Sequence, residues 1–149
     1  MSVTEPIRYA DAILPGAPVD CGKDPRWQAI IEIGEYVESE PEAVWECILK
    51  WGDSPQDDLR DAIATCLLEH LLEHHFKDYF PRLEAIVLDS PEYGDTFSRC
   101  WPFGQAEESN NSARWQALQD TITLHMNSLQ ARQTGSDIEQ PIKKFNPGS

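Results

Sequence analysis

Hydrophobic positions along the middle of this chain recur every three or four residues, the spacing that places them on one face of an α-helix. The pattern is clear in a first stretch that contains Trp27, Ile30 and Val37, and again over residues 112–132. No stretch of useful length alternates apolar and polar residues, as a half-buried strand does. The sequence therefore predicts an all-α protein.

Capping and helix-breaking residues divide this pattern into successive helices. Asp24 can accept hydrogen bonds from the free amides of a first helix, and Pro25 suits its first turn. Ser39 and Glu42 have capping-box spacing at the start of a second helix, which Gly52 is expected to end. Further helices are predicted to begin near Asp57, Phe80, Ser90 and Ser112, the first of these running to about Phe76.

Three regions follow from this division. Residues 1–23 are interrupted by prolines and glycines, and they are predicted to form an extended N-terminal arm whose apolar residues lie on the body. Residues 24–134 are predicted to form one helical domain, as the total length of 149 residues favours. Residues 135–149 show no sustained periodicity and are predicted to be a flexible tail.

A short internal similarity suggests how the helices are arranged. The segment R26-W-Q-A-I-I resembles R60-D-A-I-A, and the two arginines are 34 residues apart. Each segment begins a helix that is followed by a second helix, as in repeats that stack helical hairpins. The favoured architecture is therefore a HEAT-like α-solenoid of antiparallel helical hairpins, and an irregular helical bundle is the alternative.

Charge changes the picture of what the protein can bind. Twelve Lys and Arg residues stand against 26 Asp and Glu residues, which gives a formal net charge of −14 at pH 7. Such a surface repels nucleic-acid phosphates and anionic membranes, so direct binding to either is not expected. It admits a basic protein partner, or mimicry of the charge of a nucleic acid.

The cysteines and the apolar runs indicate a compartment. Cys21, Cys47, Cys66 and Cys100 are widely separated and form no C-x-x-C pair, so reduced and mostly buried thiols are expected. The first ten residues lack the basic start and apolar stretch of a signal peptide, and no apolar run is long enough to cross a bilayer. We therefore expect a cytoplasmic protein.

The run L67-L-E-H-L-L-E-H-H75 contains three of the four histidines and the pattern H-x-x-E-H. Residues four apart stack on one side of a helix, so the side chains of Cys66, His70 and His74, with Glu73 beside them, could bind zinc. Glu73 would then activate a zinc-bound water, as in a small zinc-dependent hydrolase. This is one of two interpretations of the run.

The other interpretation is that the run is a core helix. Its leucines cover one broad face, whereas His70 and His74 fall at the edge of that face, where they could bond neighbouring helices. His75 would bond similarly near the next turn. A zinc protease also needs a third ligand, and the candidates Glu107 and Glu108 lie in a polar loop with no supporting pattern. We favour packing, and expect no metal and no cofactor.

A dense aromatic segment, F97-S-R-C-W-P-F-G-Q105, ends in helix-breaking residues. It could anchor a partner through Trp101 and Phe103, or it could close the end of the helical stack. Cys100 lies beside Arg99, which could lower the pKa of its thiol. The candidate partner-binding residues are Glu35, Glu38, Asp57, Asp58, Glu69, Glu73, Trp101 and Phe103.

The segment from D24-P-R-W-Q-A-I-I-E-I-G-E-Y to C100-W-P-F-G-Q resembles small bacterial HEAT-like proteins of unassigned function. It covers about half of the chain. Proteins of this type include immunity proteins, which block a toxin by binding it. The resemblance implies a helical repeat fold and carries no catalytic motif, so it transfers no active-site residue.

Together these observations predict a non-enzymatic acidic module that binds a protein partner. Its most concrete version is an immunity-type inhibitor of a basic toxin. The zinc-dependent hydrolase that uses Cys66, His70, Glu73 and His74 is the alternative, and an acidic mimic of nucleic acid is a third hypothesis.

Overall fold

The regular structure of the protein is helical. The computed structural model describes residues 2–16 and 24–145, with side chains as far as residue 131. No strand occurs in these ranges, so the predicted all-α class is confirmed. The elements are α1 (Thr4–Ile13), α2 (Pro25–Gly34), α3 (Pro41–Trp51), α4 (Asp57–Ile63), a π-helical turn (Ala64–Leu68), α5 (Glu69–Ile86), α6 (Pro91–Ser98), a 3-10 turn (Gly104–Glu107) and α7 (Ser109–Phe145).

α1 lies where the sequence predicted an extended arm, so that prediction is wrong for these residues. Pro6 falls in the first turn, where a backbone amide needs no partner within the helix, and it therefore does not break α1. Val3, Ala10 and Leu14 are buried and α1 contacts α2, so the expectation that this region lies on the body is confirmed. Cys21 lies outside the described residues.

The two predicted helix starts have different outcomes. Asp24 caps α2 by accepting a hydrogen bond from the backbone amide of Arg26 at 2.9 Å, as the sequence predicts. The prediction of a capping box at Ser39 and Glu42 is wrong, because α3 begins after Glu40 and has no side-chain cap. The Glu42 carboxylate instead binds Arg82 of α5 at 2.7 Å. A contact between helices has displaced a local one.

The predicted third helix is continuous from α4 through the π-helical turn into α5. At His75 the backbone leaves the helical region, with φ −137° and ψ 43°, close to the predicted end at Phe76. Helical geometry resumes at Phe76, so the following helix begins there and not at Phe80, as predicted. Pro81 lies inside this second segment of α5.

The core forms around this central helix. The four leucines of the histidine run are buried, which confirms the predicted apolar face: Leu67, Leu68, Leu71 and Leu72. Farther along, the Phe80 ring stacks on Phe76 with centroids 4.4 Å apart, and Phe97 packs against Trp115 of α7 at 4.7 Å. These rings join α5, α6 and α7 into one apolar cluster.

α7 is longer than predicted and extends past the core. Trp115, Leu118 and Ile122 of the predicted stripe are buried, whereas Met126 and Leu129 are exposed. The helix continues to Phe145, through residues that the sequence assigned to a tail without regular structure. The flexibility of that tail stays a prediction. Within the described ranges, no helix is long and apolar enough to cross a membrane.

Two buried arginines connect alternate helices. Arg26 of α2 binds Asp24 at 2.8 Å and reaches Asp58 at the start of α4. Arg60 of α4 binds Asp95 of α6 at 2.8 Å. These are the arginines of the internal similarity, so the first copy of the short motif links α2 to α4 and the second links α4 to α6. Guanidinium groups can be buried here because carboxylates and carbonyls satisfy their donors.

Gly34 allows α2 to lie close to the π-helical turn. A Cβ atom at this position would lie 2.7 Å from the main-chain oxygen of Cys66, closer than real Cβ contacts occur. A residue with a side chain could not occupy this position without moving the Cys66 backbone. The approach matters because these two segments also form the walls of a surface cavity.

We expect Gly34→Ala to lower the free energy of unfolding by about 1–3 kcal/mol, because the backbone of Cys66 cannot move aside cheaply. Chemical denaturation measures this change. Gly94→Ala is the matched control, since its Cβ would meet a side-chain methyl of Ile122 at 3.2 Å, which can shift. A Gly34→Ala protein as stable as the wild type would contradict the close approach.

Asp95 should make stability depend on pH. Burial by itself raises its pKa, but the hydrogen bonds from Arg60 and Arg99 outweigh burial, and the net pKa is lowered. Stability from such a carboxyl is present above the pKa of the unfolded chain and is lost as the pH falls through the folded value. We expect Asp95→Asn to make the free energy of unfolding less dependent on pH below about 4. The exposed Asp53, changed to Asn, is the control.

Candidate functional site

The clearest concave feature lies between the end of α2 and the helix that passes through the π-helical turn into α5. It is an open cavity of about 320 Å³, here called the α2–α5 cavity. The close approach at Gly34 forms its floor, and the turn after α2 forms one rim. Its walls are Ile31, Gly34, Glu35, Val37, Glu38, Thr65, Cys66, His70 and His74.

A ridge of alternating imidazole and carboxylate groups borders this cavity. The His70 Nδ1 atom lies 3.0 Å from the Glu73 Oε1 atom one turn along the same helix. His74 lies between two carboxylates, with its Nδ1 atom 3.6 Å from Glu38 and its Nε2 atom 3.7 Å from Glu73. Thus the His74 ring approaches a carboxylate in the turn after α2 without forming the predicted hydrogen bond to a neighbouring helix. In the described structure the hydrogen bond of His70 is to Glu73 of its own helix, so that prediction is wrong for His70 as well.

The structure brings the candidate zinc ligands to one cavity without arranging them as a metal centre. Cys66, His70 and His74 all line the α2–α5 cavity. Among the residues described, however, no three His, Cys, Asp or Glu side chains are grouped so that they could hold a metal ion. Burial raises the pKa of the Cys66 thiol, which disfavours the thiolate that a zinc ligand or a nucleophile requires.

The other described cysteines are also poor nucleophiles. Burial raises the pKa of Cys47 to about 11 and raises that of Cys100 well above its ordinary value. The expectation that Arg99 could lower the pKa of Cys100 is therefore wrong, because the thiol is buried and bonds main-chain oxygens instead. These three cysteines are free, and two of them are buried, as the sequence predicted.

The segment from Cys100 to Gln105, here called the aromatic loop, is fixed to the same helix. The Glu69 carboxylate accepts a hydrogen bond from the backbone amide of Trp101 at 2.9 Å. Burial raises the pKa of Glu69, and the bond from Trp101 partly offsets this effect. Gly104, with φ +53°, lies against the backbone of Glu73, where a Cβ atom would come within 2.9 Å of the carbonyl oxygen.

Gln105 completes the attachment at the break in α5. Its Nε2 atom donates to the His74 carbonyl at 2.7 Å, and its Oε1 atom accepts from the Phe76 amide at 2.9 Å. These are the two main-chain groups that flank His75. The prediction that His75 bonds a neighbouring helix is wrong: its Nε2 atom is buried without a hydrogen-bond partner in the described structure, and its ring edge faces Tyr79.

The aromatic loop therefore both closes the core and presents a surface. Cys100 and Ala106 are buried in the core. The side chain of Trp101, whose backbone amide is bonded to Glu69, is 70% exposed, and that of Phe103 is 44% exposed. Trp101 also borders a second cavity of about 550 Å³, which separates the loop from α7. A large aromatic side chain is thus held in solvent by a backbone that cannot easily move.

The predicted acidic contact residues have separate places in the structure. Glu35, Glu38 and Glu73 lie at or beside the α2–α5 cavity. Asp57 and Asp58 pair with the buried arginines, and Glu69 is itself buried. Sequence reasoning missed the structural role of these three, because acidic residues near a helix start, such as Asp57 and Asp58, have a sufficient local explanation and nothing in the sequence marks Glu69 as buried. It also missed Gln105, which carries no sequence signal.

We expect Gln105→Ala to lower the free energy of unfolding by about 1–3 kcal/mol, because two main-chain groups lose their partner. Hydrogen exchange at the Phe76 amide should become faster, since this amide donates to the glutamine oxygen. Gln28→Ala, on the exposed face of α2, is the control and should leave both quantities nearly unchanged. An unchanged exchange rate at the Phe76 amide would show that Gln105 does not stabilise the backbone at the break in α5.

The chain was compared with protein-family models, with curated proteins and with solved structures, and none of them matches it.

Proposed function

We propose that this protein is a non-enzymatic, cytoplasmic module that binds a basic protein partner. The observation that carries the proposal is the exposure of Trp101. Its side chain is 70% exposed, although the loop is attached to α5 by contacts with Glu69 and Glu73 and by the hydrogen bonds of Gln105. Exposed aromatic side chains on a rigid backbone are typical binding anchors, because little freedom remains to be lost when a partner covers them.

The electrostatics support a basic partner. The chain carries a formal net charge of −14, which attracts a positively charged protein over distances of about a Debye length, roughly 8–10 Å at physiological salt. Glu35 and Glu38 are exposed beside the α2–α5 cavity, whereas Trp101 lies on the aromatic loop that is bonded to α5 at Glu69. Attraction by the acidic surface and anchoring by the aromatic loop are complementary parts of one binding surface.

A HEAT-like stack is the arrangement that we propose for the helices. α2 contacts α4 and α4 contacts α6, while α3 contacts α5. Two layers of successive helices are what stacked antiparallel hairpins produce. The repeated arginine links between α2, α4 and α6 favour this arrangement over an irregular bundle, since each hairpin is connected to the next in the same way.

The most concrete version is an immunity-type inhibitor of a basic toxin. Inhibition by binding needs a preorganised acidic surface and no catalytic group, and no cofactor is required. The alternative, a small zinc-dependent hydrolase, has less support, because Cys66 has a raised pKa and no metal-binding group of three is found in the described part of the chain. The charge alone also fits an acidic mimic of nucleic acid, which would compete with DNA for its partner.

Affinity capture from a cell extract, followed by identification and purification of the captured protein, provides the pair for the test. We expect Trp101→Ala to weaken binding about 30-fold, the loss typical of a central aromatic anchor of about 2 kcal/mol. Tyr9→Ala removes an aromatic ring of similar exposure from α1 and should leave the affinity unchanged. Isothermal calorimetry with the purified pair measures both.

Salt dependence tests the electrostatic part. The dissociation constant of the wild-type complex should rise as sodium chloride increases from 50 to roughly 300 mM, because exposed charges are screened. The proposal is contradicted if the purified partner is acidic, if the dissociation constant does not change with salt concentration, or if the Trp101→Ala protein binds as tightly as the wild type.

A further inference from the structure

We infer that the α2–α5 cavity binds an arginine side chain of the partner. This inference rests on the proposed function, because it assigns one residue type of a basic partner to one place on the acidic surface. The aromatic loop and the cavity lie on opposite sides of the Glu73 ridge, since Glu73 contacts both Gly104 and the two histidines. The proposal places both features in the interface with one partner.

The shape of the cavity suits a long side chain with an apolar stem. Its volume of about 320 Å³ is at the lower end of the range found for sites that hold small molecules. Ile31, Gly34 and Val37 supply apolar wall on the α2 side, and Cys66 adds a protonated, weakly polar thiol on the other side. The three methylene groups of an arginine can pack along these walls.

The charges at the rim select a cation. Glu35 and Glu38 border the cavity, and neither forms an ion pair with a lysine or an arginine in the described structure. Many other carboxylates of the protein differ, because Asp24, Asp57, Asp58 and Asp95 already bind arginines. Among the residues that the structure describes, no lysine or arginine lines the cavity. The rim thus carries negative charge that no described lysine or arginine neutralises, with the His74 imidazole 3.6 Å from Glu38.

Arginine fits this rim better than a metal ion or a lysine does. The described side chains provide no group of three metal ligands, so a bare ion would have too few partners. A guanidinium has five N–H donors in one plane, which can bond two separate carboxylates at the same time. Its flat face can also lie against an imidazole, and His70 and His74 both line the cavity.

The test uses short peptides and does not need the partner. The full-length protein is titrated with acetyl-Gly-Arg-Gly-amide while two-dimensional ¹H–¹⁵N NMR spectra are recorded. We expect saturable shifts concentrated at the amides of Gly34, Glu38, Thr65 and Cys66, with a dissociation constant on the order of millimolar, as for a single side chain. The peptide with citrulline in place of arginine keeps the shape and removes the charge, and it should not saturate.

Two double variants with the same change in net charge distinguish binding at the cavity from general attraction by the acidic surface. Glu35→Gln with Glu38→Gln should weaken binding of the arginine peptide about fivefold or more. Glu32→Gln with Glu46→Gln removes two exposed carboxylates that do not line the cavity, and it should leave the affinity unchanged. All four substitutions are at exposed positions, and the reference spectrum of each variant reports its fold.

The inference is overturned if the citrulline peptide binds equally well, if both double variants weaken binding alike, or if the shifts spread over the whole acidic surface. Equal binding of acetyl-Gly-Lys-Gly-amide would overturn the choice of arginine. None of these results bears on Trp101, whose test uses the intact partner. Conversely, saturable arginine binding that Glu35 and Glu38 control supports the cavity site, even if Trp101→Ala leaves partner affinity unchanged.

Discussion

The side-chain amide of Gln105 bonds the His74 carbonyl and the Phe76 amide, the main-chain groups on either side of the break in α5. A break in a helix can leave such groups without helical partners, and each unsatisfied group costs free energy comparable to a lost hydrogen bond. One side chain from a distant loop bonds both groups. Together with Glu69, which accepts a hydrogen bond from the Trp101 amide, this contact attaches the aromatic loop to α5.

The charges of the protein are divided between two uses. Arg26 and Arg60 are buried between helices and hold carboxylates from the start of α4 and from α6, so part of the acidic composition stabilises the stack of helices. The carboxylates of Glu35 and Glu38 remain in solvent at the rim of a cavity. A count of acidic residues cannot distinguish these two groups. The carboxylates of the first group lie close enough to a buried arginine to pair with it, and those of the second group do not. The second group can bind a partner without giving up an ion pair with an internal arginine.

The histidine run shows how packing governs chemistry. Its leucines point into the core and fix the rotation of the helix, which leaves Cys66, His70 and His74 along one open cavity. The same rotation places carboxylates against the imidazoles, and burial keeps the thiol protonated. The π-helical turn and the close approach of α2 at Gly34 shape this cavity. Residues that share a metal-site motif in sequence therefore serve here as the wall of a concave surface.

The sequence by itself determined the all-helical class, the cap at Asp24 and the buried leucine face, because each depends on local geometry or on periodicity within one helix. The tertiary structure decided the helix at residues 4–13, the start of the second half of α5 at Phe76 and the roles of Asp57, Asp58 and Glu69. It also decided which aromatic side chain of the loop stays in solvent. At the break in α5, and where Glu42 binds Arg82 instead of forming a capping box, a partner far along the chain provides a contact that local preference does not predict.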